Sequence, residues 1–198
     1  MQKKSFNIVF FGSPGCGKGT HAIDVAARYH LQTISTGELY RSEIAAQTEL
    51  GIMAQKLIDA GQLCPDELTL NMLHKHIDTL PETANGFILD GVPRTLKQAE
   101  MMDGIGYDKP VNIDMVIYLD VTEEEAVRRI LERAAISGRA DDTLDVIKSR
   151  LENYAKLTQP LAAYYEKQNK LFTVDAMSTI EIVSDRINKV IDDFLARR

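Results

Sequence analysis

The stretch Gly12-Ser13-Pro14-Gly15-Cys16-Gly17-Lys18-Gly19-Thr20 constrains this chain more than any other. It follows the apolar run Ile8-Val9-Phe10-Phe11 and leads into residues 22–29, whose apolar side chains recur at helical spacing. A strand, a glycine-rich turn and a helix in that order form the setting in which G-x-x-x-x-G-K reads as a phosphate-binding loop. Glycines let backbone N–H groups turn inward on an oxyanion, and the helix N-terminus adds partial positive charge. Lys18 supplies a mobile point charge for the outer phosphates. Gly19 follows the lysine and the hydroxyl comes one residue later, at Thr20, so this chain carries the variant G-K-G-T.

Four further strand candidates follow, at residues 32–35, 86–91, 115–120 and 171–174, and helical patterns separate them. Five strands alternating with helices predict an α/β fold, a doubly wound five-stranded parallel sheet of the P-loop type. The unbroken apolar run before Asp90 implies helices on both faces of that sheet. Ligands of such sheets bind at the carboxyl ends of the strands, where the motifs of this chain all fall. The 198 residues suit a single domain. Ser35 with Glu38, and Thr122 with Glu125, have capping-box spacing. Residues 43–62 read as helical with turn signals at Gly51 and Gly61, Pro65 opens the next helix, and Pro160 forces a break or kink. His74 and His76 lie two apart, cannot chelate together and read as surface residues.

The net charge of −6 argues against a nucleic-acid partner. Nothing reads as a membrane span or signal peptide, so a cytoplasmic protein is expected. Cys16 and Cys64 lack the paired spacing of a disulfide framework or zinc site. A polyanion must therefore be held by local cations, and Arg41, Arg94, Arg133, Arg139 and Arg150 fall beside separate motifs at strand ends. Arg129 and Arg133 share one helix face, whereas Arg128 reads as a solvated surface residue. Phosphoryl transfer between two nucleotides needs this surplus, because catalysis there is alignment plus neutralisation of spreading charge. Asp90 ends a buried strand where a carboxylate can organise Mg²⁺ and its waters, and it could also cap the helix beyond Pro93.

Gly15 to Thr20, Ser35-Thr36-Gly37 with Arg41, Asp90-Gly91-Val92-Pro93-Arg94 with Gln98, and Ser137-Gly138-Arg139-Ala140-Asp141-Asp142 with Arg150 together resemble the adenylate kinases, in the family's order and over nearly the whole chain. The resemblance implies reversible transfer of the terminal phosphoryl group of MgATP to AMP, giving two ADP, by a cytoplasmic monomer with no nucleic-acid or membrane partner. By similarity, Gly15, Cys16, Gly17, Lys18, Gly19 and Thr20 would cradle the ATP phosphates. Thr20 would carry the hydroxyl near the metal, and Asp90 would hold that metal through water. Arg129 would pack over the ATP adenine, and Ser178 would touch it through its backbone. Thr36, Arg41, Gln62, Leu63, Cys64, Gly91, Val92, Pro93, Arg94 and Gln98 would form the AMP site. Lys18, Arg94, Arg133, Arg139 and Arg150 would be the catalytic cations, and Arg139 and Arg150 would also reach AMP.

A primary amide at Gln98 can offer adenine both a donor and an acceptor, and relatives acting on UMP and CMP differ at Thr36 and Gln98. The chain departs from the family pattern at Val92, Cys64, Tyr40, His21 and Ser178. Loss of the aromatic at Val92 could loosen the AMP pocket, and Ser178 could cap a helix with Glu181. Residues 35–64 would be the mobile AMP-binding insertion, and residues 132–142 a short lid that lacks the cysteines of a structural zinc site. Both would close to exclude water.

Overall fold

In a computed structural model the described residues are 6–81, 83–137 and 143–198. Five strands form one parallel sheet: β1 (Ile8–Phe11), β2 (Gln32–Ser35), β3 (Phe87–Asp90), β4 (Met115–Asp120) and β5 (Leu171–Asp175), in the order β2-β3-β1-β4-β5. The helices are α1 (Lys18–Tyr29), α2 (Thr36–Ala45), α3 (Glu49–Asp59), α4 (Asp66–Ile77), α5 (Leu96–Met102), α6 (Glu123–Ser137), α7 (Leu144–Asn153), α8 (Leu161–Lys167) and α9 (Ile180–Ala196). The expected doubly wound α/β sheet is present.

Strand alternation divides the core. Ile8 and Phe10 of β1 face α1 and α9, meeting Ala22, Val25, Val183 and Ile187, while Val9 and Phe11 face Leu70, Leu73, Met102 and Tyr165. Both faces of the central strand are covered, which is why it carries no polar residue. A smaller core, Tyr40, Ala54, Cys64 and Met72, holds α2 and α3 against α4.

Register then sets the site. Asp90 pairs with Phe10 on one side and Ser35 on the other, so three strands end level. The chain leaves these ends as the glycine loop, as Thr36 and as Gly91.

Four local expectations are corrected. Gly51 is not a turn: it lies inside α3, where a Cβ would come within 2.1 Å of the Glu43 carbonyl oxygen, so glycine serves close helix contact. The turn comes earlier, and Thr48 caps α3 by accepting from Gly51 N–H at 3.0 Å. His74 is buried, only 8 % exposed, with its ring 5.5 Å from that of Tyr107. Ser178 and Asp90 cap nothing, because Thr179 caps α9 and Thr95 caps α5. Ser35 caps α2 as its spacing predicts. Pro160 does interrupt the helix, and the interruption takes the form of a π-helical turn over Tyr154–Thr158 between α7 and α8.

Helix α7 also grips the end of the α2–α3 insertion. Ser149 Oγ donates to the Ala60 carbonyl at 3.0 Å, and Asn153 Nδ2 donates to that of Gly61 at 2.8 Å. Of the lid expected at 132–142, residues 132–137 end α6, and Arg139 with the rest of 138–142 lies outside the described residues.

Candidate functional site

The glycine loop is held open by its own backbone. Gly15 and Gly17 sit at φ 85° and 102°, conformations that L side chains rarely adopt. A Cβ on Gly15 would fall 2.3 Å from the Ala126 carbonyl oxygen of α6, so the loop packs directly on that helix. Gly17 caps α1 without any side-chain acceptor, leaving the helix's first N–H groups facing the cavity. Lys18 Nζ bridges back over the loop, donating to the carbonyls of Gly12 and Ser13 at 2.8 Å each. Cys16 is fully buried, and its sulfur lies 3.4 Å from that ammonium.

Arg129 closes one side. Its guanidinium donates to Glu125 Oε1 at 2.7 Å, to the Cys16 carbonyl at 3.3 Å and to the Ala176 carbonyl at 2.8 Å. It is thereby clamped between the phosphate loop and the segment after β5. Glu125 also accepts two bonds from Arg128, and the two guanidinium groups push its carboxyl down to about 2. Arg128 in addition pairs with Glu132, as its reading as a surface residue anticipates.

Around these groups lies a cavity of about 1040 Å³. Gly15, Gly17, Lys18, Gly19, Thr20, Asp90, Arg129, Arg133 and Ser178 line it. Asp90 Oδ2 is 3.6 Å from the point where a Cβ on Gly19 would stand, which sets the carboxylate across from the first turn of α1.

A second cavity of about 90 Å³ adjoins it. Thr36, Gln62, Leu63, Cys64, Gly91 and Gln98 line this recess together with Tyr40 and Thr69. Arg41, Arg94 and Arg150 line both cavities, as do Gly37, Gly61, Leu63 and Gly91, so the shared boundary carries three cationic residues.

Arg94 is held at three points. Its Nε donates to the Gly91 carbonyl at 2.8 Å, its backbone N–H to Gln98 Oε1 at 2.6 Å, and its carbonyl accepts from Thr158 Oγ1 at 2.8 Å. Gly91 is obligatory here: at φ 89°, a Cβ would lie 2.7 Å from Thr36 Oγ1 and 2.9 Å from Arg94 Nη2. Burial pulls the Arg94 guanidinium below its ordinary pKa, Asp90 opposes the shift, and Arg150 and Arg41 add to it. Arg41 pairs with Glu38, and its Nε is buried with no hydrogen-bond partner among the described residues. Three mutually repelling cations held together in this way suit a dense anion.

Gln98 is 2 % exposed, and its amide oxygen is already engaged by Arg94, so one lone pair and the amide N–H groups remain for a ligand. The neighbouring hydroxyls are ordered: Thr69 donates to the Pro65 carbonyl at 3.1 Å and so accepts from Tyr40 at 2.8 Å. Burial pushes the Cys64 thiol up, with Tyr40 and Arg94 partly opposing, so this cysteine stays protonated near neutrality.

The expected site residues thus gather around two adjoining cavities. Among the described residues Cys16 and Val92 are the exceptions: Cys16 is fully buried in the core beneath the loop, and Val92 is 1 % exposed and packed with Leu70 and Leu89, so the missing aromatic leaves no gap at a cavity wall. Pro93 lines the larger cavity. Sequence reasoning missed Tyr40 and Thr69 as recess residues, and Asn153, Tyr154 and Thr158 as walls of the larger cavity. Tyr40 stood out only as a departure from a pattern, and Thr69 gave no signal.

A family model described as adenylate kinase matches residues 10–170. Among curated relatives, an adenylate kinase of Porphyromonas gingivalis is 44% identical over 188 residues, covering 95% of this chain and 96% of the relative. One of Parabacteroides distasonis is 42% identical, covering 94% and 98%. One of Mycobacteroides abscessus is 44% identical, covering 93% and 98%.

Proposed function

The chain belongs to the adenylate kinase family, and from that premise we propose how its two cavities divide the transfer of a phosphoryl group from ATP to AMP. The reaction is reversible and yields two ADP. The larger cavity takes the donor ATP and the smaller recess takes the base of AMP. One observation carries this reading: Arg41, Arg94 and Arg150 stand in the wall common to both cavities. Two phosphate chains entering from opposite sides would meet there.

The donor is held by the loop N–H groups and the α1 terminus, with Lys18 leaving its carbonyl contacts for the β- and γ-phosphates. Arg129 lies where it can cover the adenine, beside Ser178. Arg94, fixed at three points, and Arg41, with an Nε that has no partner among the described residues, grip the acceptor phosphate. Arg133 and Arg150 approach the transferred group, and the resemblance adds Arg139. Once both nucleotides are bound, equatorial charge on that group is neutralised by cations gathered around it, so little further reorganisation accompanies the transfer itself.

A Mg²⁺ ion fits the residues present. Asp90 is a single hard carboxylate level with the Thr20 turn, and Mg²⁺ commonly uses one or two carboxylates and keeps its waters and substrate phosphates. Asp90 would hold it through water with Thr20 nearby, and the ion would supply charge between the β- and γ-phosphates.

In the recess, Gln98 offers donors and one remaining lone pair to adenine, with Thr36 beside it. The recess has room on the scale of one base, leaving the phosphate at the arginine wall. The same reading makes the protein a cytoplasmic monomer that binds neither nucleic acid nor membrane. Among the described residues no helix is long and apolar enough to cross a membrane.

Lys18→Ala should lower kcat about 10²- to 10³-fold in a coupled ADP-formation assay, and normal turnover would overturn the donor assignment. An acceptor panel should show AMP strongly preferred, and equal use of UMP or CMP would overturn the role of Gln98 and Thr36.

A further inference from the structure

His21 is a buried histidine, 3 % exposed, on the first turns of α1, and it also lines the larger cavity. Phosphoryl transfer assigns it no task. Its Nδ1 lies 3.0 Å from Ser184 Oγ on α9, and Ser184 Oγ lies 3.4 Å from Asp24 Oδ2. An ionised carboxylate can only accept, so the serine proton goes to Asp24 and the serine oxygen accepts from His21. This relay puts the ring proton on Nδ1. Nε2 is left as a lone-pair acceptor, without a hydrogen-bond partner among the described residues.

That atom stands beside the phosphate loop. A Cβ placed on Gly17 would stand 3.3 Å from His21 Cδ2, 3.5 Å from Nε2 and 4.0 Å from Arg129 Nη1. The unprotonated edge and the Arg129 guanidinium therefore approach the same point beside Gly17 of the phosphate loop. Burial holds the imidazole below its ordinary value, with Asp24 opposing and Arg129 assisting, so the acceptor form persists at neutral pH.

We propose that His21 reads the nucleoside part of the donor, its Nε2 accepting a hydrogen bond from an N–H or O–H of that nucleoside. Phosphates carry no such donor when ionised, so the contact recognises the base amino group or a ribose hydroxyl. Ser184 and Asp24 act as positioning residues that fix the tautomer. The inference rests on ATP occupying the larger cavity.

The test measures KM and kcat for four donors with AMP saturating: ATP, purine riboside triphosphate, which lacks the exocyclic amino group, 2′-deoxy-ATP and 3′-deoxy-ATP. The native enzyme should be penalised roughly tenfold in KM for whichever analogue lacks the contacting group. His21→Phe keeps the ring volume and removes the acceptor. It should raise KM for ATP by the same factor, with the cost falling on KM and not on kcat, and should use that analogue as readily as ATP. Ser184→Ala, which frees the tautomer without disturbing the core, should lose part of the discrimination and serves if His21→Phe fails to fold. Unchanged discrimination in the variants, or no penalty for any analogue in the native enzyme, would overturn the inference. If Lys18→Ala abolishes turnover while discrimination survives these changes, only the role of His21 falls. If Lys18→Ala leaves turnover intact, the donor site itself was misplaced.

Discussion

The two cavities are built by opposite means. The cavity proposed for the donor takes its cradle from one unbroken run of residues, whose backbone N–H groups, set by glycine dihedrals, would meet the phosphates. The acceptor recess takes side chains from α2, the segment after α3, α4, the turn after β3, α5 and α7. In the first, binding and folding are the same interactions, because the loop that would hold phosphate also packs on α6. In the second, the strands set the frame, and the side chains proposed to bind the acceptor are added to it. A substitution should therefore cost stability and binding together in the donor loop, and mostly function at the acceptor wall.

Gly15→Ala tests the first half most severely. Its Cβ would collide with the Ala126 carbonyl at 2.3 Å in a conformation alanine resists, so a loss on the order of 3 kcal/mol or more in urea unfolding should accompany loss of ATP binding by calorimetry. Retained stability with lost binding would break the comparison. Arg94→Lys tests the second half: a lysine cannot bond the Gly91 carbonyl through Nε and still present a planar pair of N–H donors, and kcat/KM for AMP should fall about 10²-fold while the urea midpoint stays close to native.

Gln98→Ala sits on the boundary, since the amide both faces the recess and accepts from Arg94 N–H. It should raise KM for AMP about tenfold and cost about 1–3 kcal/mol of stability, because a backbone donor is left unpaired. The smallest effect is on acidification. His21 and His74 are both held below the ordinary 6.5 mainly by burial, so the folded state binds fewer protons than the unfolded one at low pH. Stability from both is complete above pH 6.5 and declines as pH falls below it. His74→Phe should flatten that decline in urea titrations between about pH 7.5 and 5, and an unchanged slope would assign the effect elsewhere.

The same contrast explains what could be read in the chain. The glycine loop was legible because nine consecutive residues carry its geometry, and β1, β3 and β4 because their apolar runs are continuous, whereas β2, Gln32-Thr33-Ile34-Ser35, shows no such run. The arginines were singled out through the motifs beside them; of the described ones only Arg94 follows a strand end, while Arg41, Arg133 and Arg150 reach the cavities from α2, α6 and α7. That Arg41, Arg94 and Arg150 share one wall, and that Tyr40 bonds to Thr69, depends on pairings across tens of residues that no local pattern encodes. Gly51 misled because a turn and a tight helix crossing ask for the same residue, and only the carbonyl of Glu43 distinguishes them. His74 misled because its cover comes from Tyr107, which a helical pattern does not mention.

The grip of α7 on Ala60 and Gly61 has an evolutionary consequence. Both acceptors are main-chain oxygens, which every amino acid carries, so mutational drift in the side chain at position 60 cannot unfasten the insertion from the helix bearing Arg150. Substitutions on the outer surface of α3 should leave the spacing between Arg150 and the smaller recess unchanged.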